Sequence, residues 1–165
     1  QSPMMDVLLI RPNMYPQTVQ IGCELEDLQK AVGGDIQAVY PYEDPVALIM
    51  DEEAKLTGKD LNRALRDEDG DMYDIVAGDF LVVGLTEDDF GSLTSEQMQK
   101  FEEQFHQPQM FVFLEEFKRF FQCFRSFFHL FQVEISVGKI VIQIGEQCNS
   151  THIFCISIFY DLNGF

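Results

Sequence analysis

An α+β fold is predicted, with a small, mostly antiparallel sheet and two helices, followed by a Phe-rich C-terminal appendage of helix and strand. Three observations carry this expectation. Short apolar runs of strand length recur through the first part of the chain, separated by Pro, Gly and Asp turns. Two segments, 24–32 and 93–105, show helical spacing with start and stop signals. The composition also breaks near Pro108. Residues 1–108 hold 23 of the 28 acids and 7 of the 11 bases, a net of 7 − 23 = −16, whereas residues 109–165 hold 5 acids and 4 bases, a net of −1. Twelve of the 16 Phe follow Pro108, so the expected organisation is an acidic α+β domain over residues 5–108 and an extension over residues 109–165.

Val7-Leu8-Leu9-Ile10 is an unbroken apolar run closed by Arg11-Pro12, the pattern of a buried first strand. Thr18 to Ile21 alternates as a second strand after the turn at Asn13–Pro16. Glu24 to Val32 places Leu25, Leu28 and Val32 on one helical face, with acids at its positive end and Gly33-Gly34 as a left-handed stop. Ile36 to Tyr40 and Val46 to Met50 are strands around the Pro41–Pro45 bend, and Asp51-Glu52-Glu53 with Lys55 has the composition of a solvated hairpin tip. Gly58 to Arg66 is a connector containing one helical turn, and Asp69-Gly70 is a turn. Tyr73 to Ile75 and Phe80 to Leu85 are strands on either side of Gly78. Leu93 to Phe105 is the clearest helix, with Thr94 and Gln97 at capping-box spacing, Leu93 and Met98 at staple spacing, and Met98, Phe101 and Phe105 on one face.

In the extension, Phe113, Phe117, Phe120, Phe124, Phe127 and Phe131 step by 4, 3, 4, 3, 4, which predicts a helix with a broad aromatic face. That face packs on the acidic domain or on a second copy of the chain, lies on a membrane surface, or belongs to an incidental appendage such as the product of a shifted reading frame. Val133 to Ile144 alternates as a strand around Gly138-Lys139, and Ile153 to Tyr160 is another.

The acidic domain repels nucleic acid phosphates and anionic membranes, because binding either requires clustered Lys and Arg. Basic protein surfaces are its expected partners. No uncharged apolar run reaches the length of a membrane span. The opening QSPMMD has no basic start and apolar core, so a cytoplasmic chain with reduced cysteines is expected.

Asp67-Glu68-Asp69-Gly70-Asp71 suggests calcium, but its glycine stands at the fourth position where a calcium loop needs it at the sixth. Cys148, His152 and Cys155 supply three clustered zinc-type ligands without paired knuckles. No metal or cofactor is expected, and no catalytic residue is assigned, because nucleophile elbows, phosphate loops and zinc-protease motifs are absent. The candidate ligand-binding residues are Asn62, Arg63, Arg66, Asp67, Asp69 and Tyr73, around the one close arginine pair of the acidic part. Two roles fit the arginines. They pin the Asp67–Asp71 turn through bidentate pairs, or they form an anion pocket on a negative surface.

Residues 5 to about 108 resemble an uncharacterised family of small acidic proteins of bacteria, phages and mobile elements, known as a domain of unknown function. The likeness is carried by Leu28-Gln29-Lys30-x-Val32-Gly33-Gly34, Val39-Tyr40-Pro41, Asp44-Pro45-Val46-Ala47 and Asp51-Glu52-Glu53-x-Lys55-Leu56. It continues through Leu61-Asn62-Arg63-Ala64-Leu65-Arg66 and Tyr73-Asp74-Ile75-Val76-Ala77-Gly78-x-Phe80-Leu81-Val82-Val83-Gly84-Leu85. The extension has no counterpart in it. The resemblance implies a cytoplasmic accessory protein of a phage or mobile element and transfers no catalytic residue. The leading expectation is a non-enzymatic, acidic protein-binding module, with DNA mimicry as its specific form. The alternatives are a binder of a small anionic ligand or nucleotide derivative at Arg63 and Arg66, and an enzyme with an unrecognised carboxylate site.

Overall fold

The computed structural model describes residues 3–113, 133–137, 140–147 and 153–160. Its elements are, in order, β1 (Met4–Ile10), β2 (Gln17–Gly22), α1 (Leu25–Val32), β3 (Ile36–Val39), β4 (Val46–Asp51), β5 (Leu61–Arg66), β6 (Met72–Ala77) and β7 (Phe80–Leu85). There follow β8 (Phe90–Gly91), α2 (Ser95–Gln104), β9 (Gln109–Phe113), β10 (Val133–Val137), β11 (Ile140–Gln147) and β12 (Ile153–Tyr160). The described chain falls into two compact units. One runs to Arg63 and resumes over Val76–His106; the other holds Ala64–Ile75 and the described residues from Gln107 onward.

The first unit is an α+β fold around an antiparallel sheet of order β2-β1-β7-β4-β3. The short β8 pairs with β7 at Gly84 and Leu85, beyond the last residue that β1 reaches. The apolar runs predicted as strands occupy the sheet centre because they have no polar face to offer water. Val7, Leu8, Leu9 and Ile10 are all buried, as are Val46 to Ile49 and Phe80 to Val83. Side chains alternate across a strand. Met5, Val7, Leu9, Ala47, Ile49, Leu81 and Val83 form one core with Leu28 and Val32 of α1, which crosses from the β2 edge to the β3 edge. The opposite parity turns Leu8, Ile10, Leu48, Phe80 and Val82 to the other face, where α2 lies against β1 and Phe105 meets Phe80 edge-on at 5.4 Å. The unit is therefore a three-layer arrangement with one helix on each face of the sheet.

The stop of α1 and the start of α2 are set by local chemistry. Gly33 closes α1 at φ 76°, a conformation that a Cβ makes costly. At α2, the Thr94 hydroxyl accepts from Gln97 N at 3.2 Å and the Gln97 side chain accepts from Thr94 N at 3.0 Å, as the capping-box spacing predicted. Thr94→Ala is expected to cost about 1 kcal/mol, measured as a lowered urea midpoint with an unchanged slope.

Three local expectations are corrected. Gly58 to Arg66 contains a strand, β5, and no helical turn; β5 pairs with β6 as a separate two-stranded sheet with Asp69-Gly70 at its turn. Asp51-Glu52-Glu53 is not a hairpin tip, because β4 pairs with β3 and β7 and Asp51 is buried. The Val133 to Ile144 stretch is not one strand. It is split into β10 and the start of β11, which run antiparallel with Val137 opposite Ile140.

In the second unit, β9 to β12 form an antiparallel sheet of order β10-β11-β12-β9. Phe113, expected to begin the aromatic helix, ends β9; the rest of that Phe stripe, through Phe131, lies outside the described residues. Among the described residues no helix is long and apolar enough to cross a membrane.

Candidate functional site

Registers Ile10 with Phe80 and Met50 with Phe80 place the ends of β1 and β4 and the start of β7 at one end of the sheet. The last carbonyls of both helices are reached from this region. A helix leaves such carbonyls without intrahelical donors and with a partial negative charge. Two cations from one short stretch, Lys59 and Arg63, answer that demand.

Lys59 serves α1. Its Nζ donates to Val32 O at 3.1 Å and Gly33 O at 3.0 Å, and pairs with Asp51 Oδ2 at 2.6 Å, so all three ammonium protons are engaged. The Asp51 carboxylate also accepts from Glu53 N at 3.0 Å. The Lys59 hydrogen bond, aided by that backbone donor, holds the Asp51 carboxyl below the usual aspartate range despite its burial. Gly78 makes room for this lysine. At φ 73° it would place a Cβ 3.0 Å from Lys59 Cδ.

Arg63 serves α2, which has no basic residue in its last turn. Its Nε donates to Phe105 O at 3.1 Å, Nη2 to Met14 O at 2.6 Å, and Nη1 to Asn62 Oδ1 at 2.8 Å and Asn62 O at 3.3 Å. The guanidinium is 1% exposed. No carboxylate pairs with it among the described residues, and its countercharge is a set of carbonyl dipoles. Burial lowers its pKa to about 10, so it remains cationic at neutral pH. Asn62, fully buried, donates to Ile10 O at 2.9 Å and Gly78 O at 2.8 Å, joining the end of β1 to the β6–β7 turn.

The six sequence candidates therefore divide. Asn62 and Arg63 lie in the first unit as buried connectors, and the guanidinium does not pin the Asp67–Asp71 turn. Arg66, Asp67, Asp69 and Tyr73 lie in the second unit. There Arg66 Nη1 donates to Gly70 O at 3.0 Å, inside the turn as expected for that arginine. Asp67 Oδ1 accepts from Asp69 N at 3.0 Å and Asp71 N at 2.9 Å, so this carboxylate is turned onto its own backbone. Tyr73 is half exposed, and partial burial with nearby Asp74 and Asp67 raises its pKa. The strand conformation of β5 explains the division, since a helix would have stacked Asn62 under Arg66. Among the described residues no group of three or more acids, histidines or cysteines is placed to hold a metal. Of the zinc-type cluster only Cys155, in β12, is among them.

Two clefts flank Lys59, and sequence reasoning had singled out neither. One is lined by Lys30, Gly33, Asp35, Asp51 and Lys59. The other, of about 590 Å³, is lined by Arg11, Met14, Lys30, Lys59, Asp60 and Asp79 among others. The available sequence signal was indirect. A helix such as α2, with an unmet C-terminal demand, requires a cation from elsewhere, and few bases exist to supply one.

Residues 5–106 match the family model described as a domain of unknown function (DUF3846). No curated protein and no solved structure matches the chain.

Proposed function

The chain belongs to the DUF3846 family, and from its own residues we propose that it is a non-enzymatic binding module whose acidic surface engages a basic protein face. The observation that carries this is the fate of its charges. Of the 23 acids in residues 1–108, Asp51 alone is buried, leaving 22 at least partly exposed. Of the 7 bases, Arg63 is buried and Lys59 is consumed between Asp51 and two helix carbonyls. Two of the scarce cations are thus spent on architecture while carboxylates accumulate outside. Such a field repels polyanions, steers cationic surfaces and strengthens as salt falls.

The specific form is DNA mimicry, with carboxylates standing in for phosphates against a nucleic-acid-binding protein. The proposal includes a cytoplasmic role with a phage or mobile element, as the resemblance implies. The test is capture from a bacterial lysate on immobilised full-length chain, eluted with a salt gradient. The module reading expects a discrete partner retained at about 50 mM salt and released by about 500 mM, where screening is nearly complete. Mimicry further expects duplex DNA to displace that partner. Capture indifferent to salt would sink both, and a salt-sensitive partner that DNA does not displace would leave the module without the mimicry.

A further inference from the structure

The acidic domain has seven bases, and three of them, Arg11, Lys30 and Lys59, line a single cleft of about 590 Å³ at one end of the sheet. Lys59 is committed to Asp51 and two helix carbonyls, whereas Arg11 and Lys30, the latter in the last turn of α1, donate no side-chain hydrogen bond among the described residues. Lys30 is exposed on α1, and no carboxylate pairs with it among the described residues. Arg11 stands 3.8 Å from Asp79 Oδ2, too far for a hydrogen bond, with both side chains well exposed. A fourth base, Arg63, holds the carbonyl of Met14, itself a lining residue, so a buried cation without a carboxylate sits behind the cleft wall. The remaining wall holds one further carboxylate, Asp60, beside Pro12, Met14, Ala31 and Val32, which offer an apolar surface for a neutral body.

We propose that this cleft binds a small phosphomonoester, its phosphate between Arg11 and Lys30 and its neutral body against Pro12 and Met14. Lys30, with no carboxylate partner, and Arg11, loosely paired with Asp79, match a dianion better than a single carboxylate, and a guanidinium fork favours phosphate geometry. Asp79 acts as a placeholder that the phosphate displaces from Arg11. The cleft lining holds three bases and two acids, a net of 3 − 2 = +1, which leaves −16 − 1 = −17 on the rest of residues 1–108 to repel such a ligand.

The test is an NMR titration of the full-length chain at low ionic strength, with inorganic phosphate and AMP as probes. Saturable amide shifts are expected around Arg11, Lys30, Gly33 and Gly78, with phosphate competing against AMP. The R11Q/K30Q variant should bind roughly tenfold or more weakly at an unchanged Tm. D79N should bind more tightly, because it frees Arg11, and K55Q, outside the cleft, should match the wild type. Absence of saturable shifts with both probes up to about 10 mM, shifts centred elsewhere, R11Q/K30Q binding equal to the wild type, or a D79N variant that binds no more tightly would each overturn the assignment.

Discussion

Arg63→Met is expected to destabilise the protein by about 3–5 kcal/mol, a large part of a typical folding free energy. The usual argument that a buried ion pair can be replaced by an apolar residue does not transfer to this site. That argument removes both charges together, whereas here the partners are Phe105 O, Met14 O and Asn62 Oδ1, which remain when the guanidinium is gone. Each acceptor left dry costs about 1–3 kcal/mol. Arg63→Lys should recover only part of the loss, because one ammonium cannot reproduce a fork spanning the β1–β2 turn, β5 and the end of α2. Chemical denaturation of the three proteins measures this. Equal stability of wild type and Arg63→Met would mean that water satisfies these carbonyls, and the role of Arg63 as a buried connector would be lost. A ligand role for Arg63 through direct contact is not favoured, since its donors face inward and it is 1% exposed.

Lys59→Met carries the second large effect, about 2–3 kcal/mol at neutral pH. It strips the Asp51 carboxylate of its cation and the Val32 and Gly33 carbonyls of their donor. The pH dependence separates these two losses. With its folded pKa depressed by Lys59, Asp51 stabilises the wild type fully above the unfolded aspartate value of about 3.9. That contribution is lost as pH falls through the depressed folded value. In the variant, burial dominates and the carboxyl takes up a proton more readily. The stability gap between wild type and Lys59→Met should therefore be widest near neutrality and narrow on acidification below about pH 4. The same scan on Asp51→Asn should show a flatter acid limb than the wild type. A gap independent of pH would assign the whole effect to the helix carbonyls and remove the ion pair from the account.

Features whose physical cause is local were the legible ones. Thr94 and Gln97 are three residues apart and satisfy each other's backbone, so α2 had a readable start. Gly33 follows an apolar helical face and stops α1 for the same kind of reason. The unbroken apolar runs of β1, β4 and β7 are short and bounded by turn residues, which favours buried strands over helices, and the α+β class followed from their alternation with two helices. The strand β5 was not legible. Leu61-Asn62-Arg63-Ala64-Leu65-Arg66 is rich in helix formers, and Asn62, Arg63, Ala64 and Leu65 are buried in succession, which erases the two-residue period of a half-exposed strand.

Tertiary structure decided which partners those polar residues met. Arg63 finds its acceptors 42 and 49 residues away, Asn62 reaches 52 residues back to Ile10, and Lys59 bonds carbonyls 26 and 27 residues distant. The same long-range closure gathers Arg11, Lys30 and Lys59 around one cleft. A hydrogen bond closed within a few residues leaves a pattern along the chain. One closed across the fold exists only when β1, β7 and the two helix ends have been brought together, so sequence could identify the cations of this acidic domain but not what each is for.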